Sequence, residues 1–123
     1  MVINNPAYKK AIQSLWDGRA TVTVRVGRLN EATGRTEPVE QVTVKDAACR
    51  LSHKTVTTTD PTEEAALVTQ TVALYIDPSV EIPEGSKITV TQNGVTRDYE
   101  QSGKAAVFTY HKEVPLELFR EWA

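Results

Sequence analysis

Apolar and polar residues follow two different periods along this chain, a helical one at the start and a strand-like one afterwards. Between Pro6 and Asp17 the apolar residues recur every three or four positions, which predicts a short amphipathic helix over residues 6–17. Asn5 suits the cap of this helix and Pro6 its first turn. The apolar stripe consists of Tyr8, Ile12, Leu15 and Trp16. Because a helix this short is marginal alone in water, it needs a surface to pack against.

From residue 20 the period changes to two, which is typical of strands with one buried face. A first strand is predicted over residues 20–28, and Thr33-Gly34-Arg35 indicates a hairpin turn in which Gly34 takes a positive φ. In the second strand Val39 is out of phase with the following valines, so we expect a bulge or a late start there. Asn93-Gly94 predicts a two-residue hairpin turn.

The C-terminal stretch, residues 114–122, fits two descriptions. Val114, Leu116 and Leu118 alternate as in a strand, and Pro115 would confine such a strand to the edge of a sheet. Pro115 could equally open a short helix with Leu118 and Trp122 on one face. An edge strand is the favoured interpretation.

Together these segments amount to about seven or eight short strands with turn signals between them, which predicts a mainly β domain, either a small barrel or a sandwich. The strands extend over residues 20–119. A length of 123 residues with 40% hydrophobic residues suits a single domain with a single core.

The longest polar interruption of the strand pattern is residues 54–64, in which only Val56 and Pro61 are apolar. Connections in compact domains are typically about 4–6 residues long, and longer ones are usually functional or disordered. We therefore expect an exposed, working loop between two strands.

Charge and targeting signals narrow the class of protein. A net charge of −2 argues against a nucleic-acid-binding module, because phosphate binding needs clustered basic residues. The first residues lack the basic start and apolar stretch of a signal peptide, and no apolar run is long enough for a membrane span. Cys49 is the one cysteine, which excludes an intramolecular disulfide. These features predict a protein made and folded in a cytoplasm, without a membrane partner.

The residues that could carry chemistry are few. Cys49, His53 and His111 could in principle supply a nucleophile and a base, but Cys49 shares a strand face with Leu51 and is expected to behave as a small hydrophobe. The same three residues are too few for a tetrahedral zinc site. We therefore predict no catalytic residues, no metal site and no cofactor.

Three acidic residues in the polar loop suggest a second possible metal site, one for calcium. Asp60, Glu63 and Glu64 could loosely surround a calcium ion, but the alternating oxygen ligands and the central glycine of a calcium loop are missing. A solvated acidic loop is the favoured interpretation.

Several stretches taken together resemble the minor capsid proteins of tailed bacteriophages and prophages, a group similar to head-closure (head–tail connector) proteins. The stretches are, in chain order, Pro6-Ala7-Tyr8-Lys9-Lys10-Ala11-Ile12 with Leu15-Trp16-Asp17-Gly18, Cys49-Arg50-Leu51-Ser52, Tyr75-Ile76-Asp77-Pro78, Ile82-Pro83-Glu84-Gly85-Ser86-Lys87-Ile88, Thr91-Gln92-Asn93-Gly94, Tyr110-His111-Lys112-Glu113 and Leu116-Glu117-Leu118-Phe119.

The resemblance implies a small β-barrel in the virion, assembled in the bacterial cytoplasm and located at the head–tail interface. Its partners would be further copies of itself in a ring, the portal and adaptor proteins, tail terminator or tail proteins, and packaged DNA bound without sequence specificity. A long loop in such proteins can point into the channel and help to hold DNA. The candidate residues for this role are Thr57, Thr58, Thr59, Asp60, Pro61, Thr62, Glu63 and Glu64.

The alternative function is a stand-alone small β-barrel that binds a ligand or nucleic acid. This alternative predicts a deep apolar pocket or salt-dependent binding to oligonucleotides. An enzyme is the third and least favoured class, since no activated nucleophile or acid–base pair is evident in the sequence.

Overall fold

In the computed structural model, residues 6–59 and 66–122 are described, and they form one helix and seven strands. The elements are α1 (Pro6–Gln13), β1 (Gly18–Asn30), β2 (Arg35–Thr59), β3 (Ala66–Ile76), β4 (Lys87–Gln92), β5 (Val95–Gln101), β6 (Ala106–Val107) and β7 (Lys112–Leu118). The prediction of a mainly β protein with one short N-terminal helix is confirmed.

All seven strands belong to one antiparallel sheet whose pairings return to their starting point. The order is β3-β2-β1-β4-β5-β7-β6, and a further pairing joins β3 to β7. Strands β1, β2, β3, β7, β5 and β4 therefore form a closed ring, and β6 adds to β7. The sequence left open whether the fold is a barrel or a sandwich. A single sheet with a closing β3–β7 pairing, rather than two sheets packed face to face, favours the barrel-like arrangement.

The core lies inside this ring and is supplied by alternate residues of its strands, as the period of two predicts. The residues that are completely or almost completely buried include Ala20, Val22, Cys49, Leu74, Ile76, Ile88, Val90, Tyr99 and Val114. Burial of a full aliphatic side chain contributes about 1.5–3 kcal/mol, so this cluster is the main source of stability.

Helix α1 is shorter than predicted, and polar contacts together with an edge-on contact between the rings of Tyr8 and Tyr110, 5.0 Å apart, attach it to the rest of the fold. Its apolar stripe is only partly used, because Trp16, the buried member, follows the helix while Tyr8 and Leu15 are more than half exposed. Asp77 holds the helix instead, accepting hydrogen bonds from Lys9 Nζ at 3.0 Å and Gln13 Nε2 at 2.8 Å.

The environment of Asp77 shows how firmly its charge is held. Partial desolvation would raise the pKa of this carboxyl, but hydrogen bonds from Ser79, Gln13 and Lys9 outweigh it and hold the pKa well below its usual range. The Asp77 carboxylate therefore stays ionised below the usual carboxyl range, and its charge helps to hold α1 against the turn after β3.

The bulge in β2 is not where the sequence suggested. Val39 pairs regularly with Val26, whereas the register shifts twice between Ala20 and Thr23 of β1, leaving extra residues in the 43–46 stretch of β2. Asp46 has a φ of 51°, a left-handed conformation that aspartate tolerates better than most residues. The bulges lie where β2 leaves the ring, because a bulged strand bends and twists locally.

Strand β7 corrects the interpretation of the tail as an edge strand or helix. It pairs with β3 on one side and with β5 and β6 on the other. Pro115 is tolerated in β7 because it lies between the residues that pair with β5 and those that pair with β6. Its carbonyl points to that side of the strand and accepts a hydrogen bond from Ser102 N at 2.9 Å. The missing N–H faces the same side, so no ladder hydrogen bond is lost.

A glutamine side chain extends the sheet where β1 begins. Gly18 is the first residue of β1 and pairs with Cys49, so Leu51 of β2 has no backbone partner in β1. Gln92 takes that place: Leu51 N donates to Gln92 Oε1 at 2.7 Å, and Gln92 Nε2 donates to Leu51 O at 3.4 Å. The approach requires glycine at position 18, where a Cβ would lie 2.9 Å from Cys49 O and 3.1 Å from Gln92 Oε1.

Replacing Gln92 with methionine should destabilise the fold, because it removes both hydrogen bonds to Leu51 while keeping a side chain of similar length. A half-buried backbone group left unpaired costs about 1–3 kcal/mol, and a loss of that size in the free energy of unfolding is expected in urea denaturation. Gln41→Met, at an exposed site on β2, is the matched control and should have little effect. Equal losses for the two variants would contradict the bridging role.

Two carboxylates face each other on the outer side of the β5–β7 pairing. Glu100 pairs with Glu117, and partial desolvation together with the hydrogen bond and like charge of Glu117 raises the pKa of Glu100, against an opposing effect of Arg120. A raised carboxyl pKa means that the folded chain binds a proton more readily than the unfolded chain. The repulsion therefore lowers stability above the folded pKa and disappears below the usual carboxyl range.

Glu117→Gln should therefore raise the melting temperature at pH 7, and the gain should vanish near about pH 3, where both carboxyls are protonated in the parent protein. Glu81→Gln makes the same change in net charge at an exposed loop position and serves as the control. An unchanged difference between Glu117→Gln and the parent across this pH range would refute the assignment.

Candidate assembly site

Two hairpins extend beyond the closed ring. The β1–β2 arm consists of residues 24–30 and 35–41, because β4 pairs with β1 only up to Thr23, which lies opposite Val42. The β2–β3 arm consists of residues 54–59 and 66–71, because β7 pairs with β3 only from Val72. Strand β2 belongs to both arms. Its 25 residues would span about 80 Å if straight, so the arms leave opposite ends of the ring.

The β2–β3 arm replaces much of the predicted polar loop. Residues 54–59 are not loop but continue β2, with a regular ladder from Lys54 opposite Thr71 to Thr59 opposite Ala66. Their run of threonines hid the strand, because apart from Val56 the sequence of this segment is polar and shows no period of two, although threonine has a high strand propensity.

The candidate channel residues are therefore divided. Thr57, Thr58 and Thr59 lie in the ladder opposite Val68, Leu67 and Ala66. The other five candidates, Asp60, Pro61, Thr62, Glu63 and Glu64, lie outside the described residues. The part of the candidate segment that the structure describes is thus held in a two-stranded arm.

The β1–β2 arm ends in the predicted hairpin turn. Gly34 has a φ of 72°, and its N–H donates to Asn30 O at 2.8 Å, which confirms the role expected of this glycine. Arg25 lies opposite Glu40 along the arm, and such oppositely charged cross-strand pairs support a ribbon that has no core of its own. Leu29 of the arm is 60% exposed, and Val42 at the base of the arm is 53% exposed.

Each arm presents backbone edges that have no strand partner within residues 6–59 and 66–122. Unpaired edges are templates for pairing with another chain, and proteins commonly block them with proline or charge. The β1–β2 arm carries Pro38, which removes one donor, whereas residues 54–59 and 66–71 contain no proline. The β2–β3 arm therefore offers the more complete edge.

The C-terminal segment fixes the base of the β1–β2 arm. Trp122 Nε1 donates to Glu40 Oε1 at 2.9 Å, and Lys87 Nζ lies 3.5 Å from the same oxygen. Lys87 also lies 5.8 Å from the ring centroid of Phe119 and 5.7 Å from that of Trp122, within the range of cation–π attraction. Glu40 thus ties the arm to both β4 and the chain after β7.

Glu40→Ala should release Trp122, because it removes the acceptor of the indole N–H. In a Trp16→Phe background, where Trp122 is the only tryptophan, acrylamide should quench the fluorescence of the Glu40→Ala protein more strongly than that of its parent. Glu37→Ala, an exposed acid on the same strand, is the control and should leave quenching unchanged. Identical quenching of all three proteins would show that the contact does not hold the segment.

The residues considered for catalysis do not form a reactive group. Cys49 is completely buried, and desolvation raises the pKa of its thiol to about 12, so the thiol is neutral at physiological pH. His53 lies four residues along the same strand, about 13 Å away. His111 stacks on Phe108 at 4.7 Å between ring centroids and lies 3.1 Å from Glu113 Oε1.

Across residues 6–59 and 66–122, no three His, Cys, Asp or Glu side chains are grouped so that they could hold a metal ion. In that same part of the chain, no helix has the length and apolar character needed to cross a membrane.

Comparison with known proteins shows a distant structural likeness. No protein-family profile matches the chain, and no curated protein sequence matches it. Among solved structures, the chain is similar to the xkdH protein of the phage-like element PBSX of Bacillus subtilis, with 14% sequence identity and a TM-score of 0.47, over 81% of this chain and 91% of that one. A likeness of this degree assigns no function.

Proposed function

We propose that this chain is a structural virion protein of a tailed phage or prophage, which forms a ring at the head–tail connection, closes the DNA-filled head and docks the tail. The observation that carries the proposal is the pair of arms that leave opposite ends of one small closed ring of strands. The sequence resemblance to head-closure proteins supplies the class. The protein works by shape and symmetry rather than by catalysis.

The exposed arms favour an assembled state of the protein over a monomer. The arms extend beyond the ring with unpaired edges, and Leu29 of the β1–β2 arm and Val42 at the base of that arm are exposed, an arrangement that favours association with other chains. A ring requires two different surfaces on each subunit, because its contacts are head to tail. Arms at opposite ends of the subunit provide two such surfaces, and the portal, adaptor and tail proteins are the further partners.

The β2–β3 arm is the element that reaches the channel in this proposal. Thr57, Thr58 and Thr59 are uncharged, and the segment that follows contains Asp60, Glu63 and Glu64. An arm of this composition makes few phosphate pairs, so it obstructs packaged DNA without binding it tightly or in a sequence-specific way. Because every subunit of the ring contributes one arm, the weak obstructions add up around the channel.

Shortening the β2–β3 arm should impair the virion while leaving the fold intact. Residues 57–68 are replaced by Asn-Gly, which joins Val56 to Thr69, two residues that already pair. The change in closure entropy is under about 1 kcal/mol, so the thermal unfolding curve should shift little. Heads assembled with this variant, in the phage that encodes the chain, should lose packaged DNA to nuclease or fail to join tails.

The matched control shortens the other arm by the same method. Residues 29–36 are replaced by Asn-Gly, joining Arg28 to Glu37, which also pair. This variant should keep the DNA of any head it closes, because the channel element is intact. The proposal is overturned if the native protein remains monomeric in light scattering, alone and with its portal and adaptor, and if loss of the β2–β3 arm leaves virions unchanged.

A further inference from the structure

A slot opens in the sheet where β1 begins. Beyond Cys49, β2 has no strand neighbour on its β1 side among the described residues, and the side chain of Gln92 satisfies only Leu51. The gap between β2 and the β4–β5 hairpin is a cleft of about 260 Å³, lined by Leu51, His53, Val90, Val95, Arg97 and Tyr99 among others. The slot lies where β1 would continue beside β2 if β1 began several residues before Gly18.

An arginine of β5 lines this slot, on the side of the strand that carries the buried residue Tyr99. Arg97 lies between Val95 and Tyr99 on the inward face of β5, opposite Val90, and the outward residue Asp98 accepts a hydrogen bond from Thr89 at 2.7 Å. Arg97 is exposed, and within the described part of the chain its guanidinium has no hydrogen-bond or ion-pair partner. The slot therefore presents a solvent-accessible cation that has no counter-ion among the described residues.

The surroundings of Arg97 combine apolar surface with limited positive charge. Val95 is 52% exposed, and Leu118, in the adjoining cleft that shares Arg97 and Tyr99, is 58% exposed. Glu117 and Arg120 also line that second cleft. A nucleic-acid backbone needs several cations in a row, and two arginines with a carboxylate beside them do not provide such a row, so the site favours a single anionic group beside an apolar side chain.

We propose that this slot binds an extended peptide segment of a partner protein, which adds to the free edge of β2 and places an aspartate or glutamate on Arg97. Strand addition supplies backbone hydrogen bonds to β2 beyond Leu51, and side-chain pockets supply selectivity. The guanidinium matches a carboxylate with two parallel hydrogen bonds. An apolar residue two positions away lies against Val95 and Tyr99. The proposal does not depend on the virion role.

The test uses the whole protein and two blocked hexapeptides as probes, Thr-Val-Asp-Val-Thr-Val and the same peptide with lysine in place of aspartate. Each peptide is titrated into the protein, and the backbone amide chemical shifts are followed by NMR. The acidic peptide should shift the amide signals of residues around His53, Arg97 and Tyr99. The lysine peptide should bind about tenfold more weakly, the factor expected for one charge-assisted hydrogen-bonded pair at a wet site. Arg97→Glu should reverse this preference.

Arg28→Glu, on the β1–β2 arm, is the matched control and should leave the preference unchanged. Absence of shifts at these residues with either peptide at millimolar concentration overturns the proposal, as does equal binding of the two peptides. Tighter binding of a thymidine oligonucleotide than of the acidic peptide at the same residues also overturns it and indicates a nucleic-acid site. Ring assembly, measured separately by light scattering, distinguishes failure of this site from failure of the proposed function.

Discussion

The pairing of β7 with both β3 and β5 is the constraint on which the rest of the fold depends. Strand β7 connects the β1–β2–β3 part of the sheet to the β4–β5 hairpin, and its Val114 and Leu116 fill the core between them. Without this strand the sheet would have two open ends and an exposed apolar face. The closure also determines which segments remain outside, since strands longer than the ring must continue as arms.

The sequence predicted the parts of this fold that depend on local chemistry. Turn residues with positive φ were found at Gly34 and at Asn93-Gly94, where the backbone angles themselves select the residue type. The alternation of apolar residues located most strands because each has one face in the core. Both signals are contained within a few neighbouring residues.

The errors arose where long-range pairing decides the outcome. Pro115 suggested an edge, but it occupies the one point of β7 where two neighbouring strands meet end to end. The threonines before Asp60 suggested a loop, because their sequence shows no alternation of apolar and polar residues to mark a strand. Arg97 gave no signal at all, since its significance depends on strands that are distant in sequence.

The continuity of β2 has a mechanical consequence. A force applied to the end of either arm acts along the direction of β2, and the antiparallel hydrogen bonds to β1 and β3 lie perpendicular to that direction. The ladder is therefore loaded in shear, so that many bonds share the tension instead of opening one after another. A single strand thereby makes the two ends of this small protein into one tension-bearing element.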